Sequence, residues 1–380
     1  MKKVALVGST GSIGRQVINV INRYKDEFTL SAIVANGSLL PFKEQVEKMK
    51  PAYAALVDGE AAKSIGSLPG GVRFYSGKDG AMRALEECGA DVIFIACGGF
   101  DGLSYSLKAA KLNAVIALAN KESLVCGGDL LAKENCTIVP VDSEHSALWQ
   151  CLNFDRSAPF SRLYITASGG AFRGRKWEEL KGVTAVQALA HPTWKMGAKI
   201  TIDSTTLLNK GYEVIEAHHL YNAPYDKITA VIQPQSVIHS MVMFTDGAIL
   251  AQLSKPTMEL PIQLALTYPN RLDLGLENLD FTKAFSLDFQ PLERKQYPMF
   301  DLALCCGEEG GVLPTALNAA SEIAVYSFLK GEIAFTDIFT VCEKVVSATA
   351  NCAVSSYGQL EEVNGAARRK AAQFIKEFKC

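Results

Sequence analysis

The chain has 380 residues, 48% of them hydrophobic, with 38 Lys plus Arg against 40 Asp plus Glu and a formal net charge of -2. This length and apolar content suit two or three domains and exclude a disordered chain. The charge balance argues against a nucleic-acid binder that works by neutralising phosphates, and no apolar stretch is long enough to span a bilayer.

In the first 140 residues, strand-like runs (KVALVG, FTLSAIVA, YAALV, DVIFIAC, AVIAL, TIVPV) alternate with helical patterns such as IGRQVINVINRY, LPFKEQVEKM and LSYSLKAAKL. Alternation of this kind predicts an α/β unit with a Rossmann-like parallel sheet over residues 1–141. Short strands RLYITAS, ITAVIQ, VIHSMVMF and AILAQL, interleaved with loops and helices, predict a central α+β domain over 142–268. Residues 269–298 are weakly periodic and rich in turn residues, as in a linker. From 299 to 380 four helical patterns predict a C-terminal α-helical bundle. The ten cysteines are too dilute for a disulfide framework and form no C-x-x-C pair, which suits a reducing, cytoplasmic setting. The opening MKKVALVG has too short an apolar run for a secretory signal.

VALVGSTGSIGRQVINVI reads as strand, glycine turn and helix, with Gly8, Gly11 and Gly14 in a G-x-x-G-x-x-G spacing. Such a turn lets backbone N–H groups and a helix N-terminus approach a pyrophosphate; the alternative is a tight βα turn that binds nothing. The second strand ends at AIVANGS without the acid that would bond the ribose of NAD, which tilts the reading toward NADP. Asn36, Gly37 and Ser38 bring no positive charge for a 2′-phosphate, and Lys43 is a possible substitute.

IVPVDSEHSALW places Asp142 and Glu144 two positions apart, so an extended backbone through residue 144 would point both carboxylates the same way. A cation, a shared proton or water must compensate them. In DSTTLLNKGYEVIEA, Asn209 and Glu213 would share a helix face, with Lys210 one position round. Asp142, Glu144 and Glu213 would make an open site for Mg²⁺ or Mn²⁺; solvated caps explain the same spacing. Ser168, Gly169 and Gly170, with Ser204, Asn209 and Lys210, offer hydroxyl, amide and ammonium donors for a phosphate, although ordinary turn chemistry also places Ser and Gly there. AHPTWKMGAK sets His191, Trp194 and Met196 in a loop that either folds over a ligand or anchors itself on the surface. Lys121 and Glu122 fall just past a strand, at the sheet edge where such folds bind ligands, or simply start a helix. His218 and His219 lie on different helix faces and read as structural.

The ordered motifs GSTGSIG, ANKESLV, VDSEHSALWQ, ASGGAF, HPTWKMG, DSTTLLNKGYE, PQSVIHSMV and TALNAASEIAV resemble the 1-deoxy-D-xylulose-5-phosphate reductoisomerase family, from residue 4 to the last helices. The resemblance implies a homodimeric, NADPH-dependent enzyme of non-mevalonate isoprenoid biosynthesis. It would act on a sugar phosphate with Mg²⁺ or Mn²⁺, or with Co²⁺, and give 2-C-methyl-D-erythritol 4-phosphate. It implies that Asp142, Glu144 and Glu213 hold the metal and, with Lys121, form the catalytic set. Ser143, Ser168, His191, Trp194, Met196, Ser204, Asn209 and Lys210 would bind substrate, the loop around Trp194 and Met196 acting as a lid. Thr10, Gly11, Ser12, Ile13, Gly37, Asn120 and Glu122 would line the cofactor, with His145 and His239 near the reaction centre. The resemblance makes 1–141 the NADPH-binding domain and 142–268 the catalytic one. Three departures stand out: Gln233 where His is common, Ala171 where Pro is common, and no basic residue in ANGS. A metal-free nicotinamide dehydrogenase and a dinucleotide sensor without turnover are the rival readings.

Overall fold

The computed structural model describes residues 1–194 and 196–378; Lys195, inside the expected lid, and the last two residues of the expected bundle lie outside the described residues. The chain forms two compact units, one of Met1–Ser123, Leu131–Ser143 and Thr257–Leu276, the other of Leu124–Leu130, Glu144–Pro256 and Glu277–Cys380.

The first stretch of chain runs β1 (Lys2–Val7), α1 (Ser12–Arg23), β2 (Phe28–Ala35), α2 (Leu39–Met49), β3 (Tyr53–Leu56), α3 (Gly59–Lys63), β4 (Arg73–Ser76), α4 (Gly77–Glu87), β5 (Val92–Ile95), α5 (Gly102–Ala110), β6 (Val115–Leu118), α6 (Glu122–Leu131) and β7 (Ile138–Pro140). The seven strands pair in the order β4-β3-β2-β1-β5-β6-β7, all parallel. Strands covered on both faces must be apolar throughout, and β1 and β5 are: Val4 to Val7 and Val92 to Ile95 are buried. Strand order reverses between β1 and β5, which makes the carboxyl ends of those strands the switch point where open α/β sheets bind ligands. Edge strand β4, RFYS, is polar and partly exposed, so its sequence carries no apolar run to announce it.

The chain continues with α7 (Ser143–Cys151), β8 (Arg162–Ala167), α8 (Ala185–Ala188), α9 (Ala198–Thr205), α10 (Leu208–Tyr221), β9 (Ile228–Ile232), β10 (Ile238–Met243), β11 (Ile249–Leu253), α11 (Glu259–Thr267) and β12 (Gln290–Pro291). A second sheet of order β11-β10-β8-β9-β12 is parallel between β8 and β9 and antiparallel elsewhere. Four helices end the chain: α12 (Pro298–Glu309), α13 (Leu313–Leu329), α14 (Asp337–Ser347) and α15 (Tyr357–Glu377). α13 is the central one, packed against α12, α14 and α15, and its Leu313, Ala316, Leu317, Ala320 and Ala324 are buried. No helix among the described residues is long and apolar enough to cross a membrane.

Two expectations change. The strand before Asp142 stops at Pro140, which sits on edge strand β7 where a missing N–H costs least, and α7 has begun by Ser143. Asp142 and Glu144 therefore do not share a strand face; Glu144 lies in the first turn of a helix, where its charge suits the dipole. The boundary drawn at 268 also does not coincide with a change of unit. α11 packs on α1, where Arg23 Nη1 lies 3.5 Å from Glu259 Oε2, Lys2 Nζ donates to Leu266 O at 2.9 Å, and Tyr24 donates its hydroxyl to Asp273 O. Residues 257–276 thus belong with the N-terminal sheet.

Candidate active site

The glycine turn follows β1 at the switch point. Gly8 has φ +86°, and a Cβ there would stand 2.5 Å from Cys97 N and 2.6 Å from the carbonyl carbon of Ala96, just beyond β5. A Cβ on Gly14 would meet Gly8 O at 2.2 Å, so α1 is pressed against the turn as closely as backbone allows. Gly8 and Ser9 N–H both donate to Val34 O, at 2.8 and 3.0 Å, which ties the turn to β2. Gly11 caps α1 without a side-chain bond, leaving the first-turn N–H groups of Ser12, Ile13 and Gly14 to face an anion. Thr10 is half-buried beside them. The Cys97 thiol on this rim is pushed up to about 12 by burial and by Glu122 and Asp101, so it stays protonated at neutral pH.

Past β6, Asn120 is buried and its side chain is committed to the protein. Its Nδ2 donates to Cys97 O, Gly99 O and Glu122 Oε2 at 2.9, 3.0 and 2.8 Å, while Oδ1 accepts from Ser123 N at 3.0 Å and Ser123 Oγ at 2.5 Å. Glu122 Oε1 accepts from Gly99 N at 3.2 Å. The two residues thus brace the loop after β5. A Cβ on Gly37 would lie 3.2 Å from Asp58 Oδ2, and one on Gly66 3.9 Å from Lys43 Nζ.

The carboxylates converge. One oxygen from each of Asp142, Glu144 and Glu213 lies within 4.8 Å of the other two. Glu213 comes from α10, buried to 1% exposure, and accepts from Asn209 Nδ2 at 2.6 Å one helical turn earlier. Lys121 Nζ stands 2.8 Å from Asp142 Oδ2; Lys210 Nζ stands 3.4 Å from Glu144 Oε1 and pairs directly with Glu213 Oε2. Three acids facing two ammonium groups keep one negative charge in excess, and their oxygen donors suit a hard divalent cation that keeps open positions for other oxygens. Ser143, between two of the acids, is half-buried at the start of α7.

A second grouping was not legible. Asp142, His145 and Glu216 also offer atoms within 4.8 Å of one another. His145 Nε2 lies 3.1 Å from Glu216 Oε2, both side chains fully buried, and Tyr221 donates its hydroxyl to His145 O at 2.5 Å. The available signal was the spacing of Glu213 and Glu216, three apart and so neighbours on α10. His218 and His219 have structural surroundings: His218 stacks on Tyr225 at 4.5 Å, and burial drives His219 down to about 4.

Ser168 follows β8, and the next two residues, Gly169 and Gly170, have φ +88° and +70°. A Cβ on Gly170 would lie 2.6 Å from Thr205 Cα and 2.8 Å from Ser204 O, so the Ser168 loop rests on the end of α9 that carries Ser204. Tyr297 holds the loop from outside, its hydroxyl donating to Gly169 O at 3.1 Å. His191 Nε2 stands 3.1 Å from Ser168 Oγ, and its Nδ1 accepts the N–H of Trp194 at 2.9 Å and that of Thr193 at 3.3 Å. A ring whose Nδ1 is an acceptor carries its proton on Nε2 and donates toward Ser168. Trp194 packs edge-on to His239 at 6.2 Å, and Met196 is half-buried. Gln233, at the position where His is common, is buried and closes the next turn: its Oε1 accepts from Val237 N at 2.9 Å and Ile238 N at 3.4 Å.

Burial lowers the His191 pKa below 6.5. A folded value below the unfolded one means the neutral ring stabilises the fold fully above pH 6.5, and that contribution is lost as pH falls through the folded value. Protonation puts a hydrogen on Nδ1, where two N–H groups already point. The ring should therefore titrate below 6.5 in an NMR titration, with the amide signals of Thr193 and Trp194 moving at the same pH. A ring pKa at or above 6.5 would contradict the arrangement.

A doubly wound sheet with a glycine turn at its switch point, and a lysine-flanked cluster of oxygen ligands, define a nicotinamide-dependent oxidoreductase assisted by a hard metal ion. Family models match in three stretches: 1-deoxy-D-xylulose 5-phosphate reductoisomerase over residues 4–128, its C-terminal domain over 138–221, and the DXP reductoisomerase C-terminal domain over 253–370. The 1-deoxy-D-xylulose 5-phosphate reductoisomerase of Thermodesulfovibrio yellowstonii is 40% identical over 381 residues, covering 99% of this chain and 100% of its own. The Chlorobium chlorochromatii enzyme of that name is 44% identical, covering 92% and 93%. Among solved structures, the Zymomonas mobilis reductoisomerase in complex with NADPH superposes with a TM-score of 0.90 at 37% identity, covering 98% of this chain and 99% of that one. A DOX-P reductoisomerase in complex with NADPH, fosmidomycin and magnesium does so with a TM-score of 0.93 at 32% identity, covering 100% and 99%. The chain belongs to the 1-deoxy-D-xylulose 5-phosphate reductoisomerase family.

Proposed function

We propose that this chain converts 1-deoxy-D-xylulose 5-phosphate and NADPH, with a proton, to 2-C-methyl-D-erythritol 4-phosphate and NADP⁺, a step of non-mevalonate isoprenoid biosynthesis. The observation that carries this reading is the convergence of Asp142, Glu144 and Glu213 within 4.8 Å, in a chain of this family. Those three carboxylates would hold Mg²⁺ or Mn²⁺, which when bound supplies Lewis acidity toward the carbonyl and hydroxyl oxygens of the substrate.

The remaining roles belong to the chain's own groups. Lys121 and Lys210 pair with Asp142 and Glu144 and add positive charge toward an anionic substrate. Ser168, Ser204, Asn209 and Lys210 bind the phosphate far from the reacting carbons and so fix orientation, with His191 donating from Nε2. Ser143 binds the substrate backbone; Trp194 and Met196 cover it and exclude water. Thr10, Gly11, Ser12 and Ile13 take the pyrophosphate of NADPH on backbone N–H groups, Gly37 lies toward its adenosine end, and Asn120 and Glu122 act by bracing the loop after β5. By function the chain divides into an NADPH-binding domain over 1–141, a catalytic domain with its lid over 142–268, a linker over 269–298 and a helical domain over 299–380, although residues 257–276 pack with the N-terminal sheet.

We also read the protein as a cytoplasmic homodimer. Ile249 and Leu250, each about half exposed (51% and 52%) on edge strand β11, are the kind of surface a second copy covers.

The test of function is the fall in NADPH absorbance when 1-deoxy-D-xylulose 5-phosphate is added. Treatment with EDTA should abolish turnover and excess Mg²⁺ or Mn²⁺ should restore it. Full activity after EDTA would favour a metal-free dehydrogenase.

A further inference from the structure

In doubly wound folds the adenosine ribose lies beyond the carboxyl end of β2, where an acid selects NAD and a cation accommodates the 2′-phosphate of NADP. Here that end reads Asn36-Gly37-Ser38 and has neither. The charge that reaches it comes from the neighbouring strand. Asp58, two residues beyond β3, donates its N–H to Asn36 O at 2.9 Å. Its Oδ1 caps α3, accepting from Glu60 N at 2.9 Å and Ala61 N at 3.1 Å. Its Oδ2 faces the other way, 3.2 Å from where a Cβ on Gly37 would stand. Position 37 is thus a glycine lying against a carboxylate. Neutral groups at this end that favour a 2′-phosphate are the side chains of Asn36 and Ser38 and the first-turn N–H groups of α2, whose cap Ser38 makes no side-chain bond. Lys43, on α2, has its Nζ 3.9 Å from where a Cβ on Gly66 would sit.

We propose that Asp58 sets the nucleotide selectivity of this chain: its carboxylate stands against the 2′-phosphate and holds the preference for NADPH over NADH below what the neutral donors would give. The proposal rests on the NADPH-binding reading above. Asp58→Asn is a clean probe, because Asn caps a helix as well as Asp does and only the charge is lost; Asp58→Ser, also a good cap, is the second variant.

The measurement is the dissociation constant of each nucleotide, followed by fluorescence without substrate, together with Tm. Both variants should keep the native Tm and raise the NADPH-over-NADH affinity ratio by about three- to tenfold at low salt, the size expected of one exposed charge against a phosphate. The gain should shrink toward nothing near 1 M salt, where screening acts within about 3 Å. A ratio changed by less than about twofold in both variants at native Tm would overturn the proposal, while turnover of 1-deoxy-D-xylulose 5-phosphate would leave the functional reading standing. Failure of the unaltered protein to bind either nucleotide would overturn both.

Discussion

Glu213→Gln will cost at least about a hundredfold in turnover while leaving NADPH binding unchanged. Glu213 is almost fully buried on α10, and one of its oxygens lies within 4.8 Å of those of Asp142 and Glu144. Gln keeps the shape and still offers one carbonyl oxygen to the Asn209 amide, but it removes a charge from a set whose purpose is to outbid two lysines for a divalent ion. Even outer groups around metal ligands are worth ten- to a hundredfold, and a direct ligand should exceed that. The comparison to make is kcat at saturating Mg²⁺ beside a fluorescence titration with NADPH. Rates equal to those of the unaltered protein would take Glu213 out of the mechanism.

Gly8→Ala should act on the other half of the chemistry. At φ +86° an L residue is strained, and the new methyl would sit 2.5 Å from Cys97 N and 2.6 Å from the Ala96 carbonyl carbon, backbone atoms just beyond β5 that cannot swing aside as a side chain would. Strain and overpacking together should cost about 2–4 kcal/mol of stability. The turn would be pushed off β5, so NADPH affinity should drop by tenfold or more. A lower Tm with weakened NADPH binding is the expected pair; native values of both would mean that the β1 turn is far more yielding than its packing indicates.

Most of the parallel sheet was readable because strands buried on both faces leave uninterrupted apolar runs, as VALV and VIFI do. Strand β4 was not, since RFYS at the sheet edge has no face that must be apolar. Asp142 and Glu144 were legible as a pair, but the reason for their proximity was misread. Alternation along a strand would have aligned them, whereas the structure ends the strand at Pro140 and starts α7 at Ser143. Contacts spanning long stretches of sequence left no trace in spacing. The approach of Lys121 to Asp142, of Lys210 to Glu144 and of His145 to Glu216 depends on loop paths that no periodicity encodes. Nor did Asn120 announce how its amide is used, because the acceptors are carbonyls of a loop more than twenty residues away.

The return of Thr257–Leu276 to the N-terminal sheet has a consequence for biosynthesis. A nascent polypeptide released from the ribosome only as far as Ser143 already holds every strand of the seven, yet α1 still lacks the segment that docks on Arg23 and Tyr24. Completion of that unit must wait while well over a hundred intervening residues are synthesised. A truncated gene ending near residue 143 should therefore yield an aggregation-prone product, and one extended through Leu276 is the shortest that supplies the missing piece.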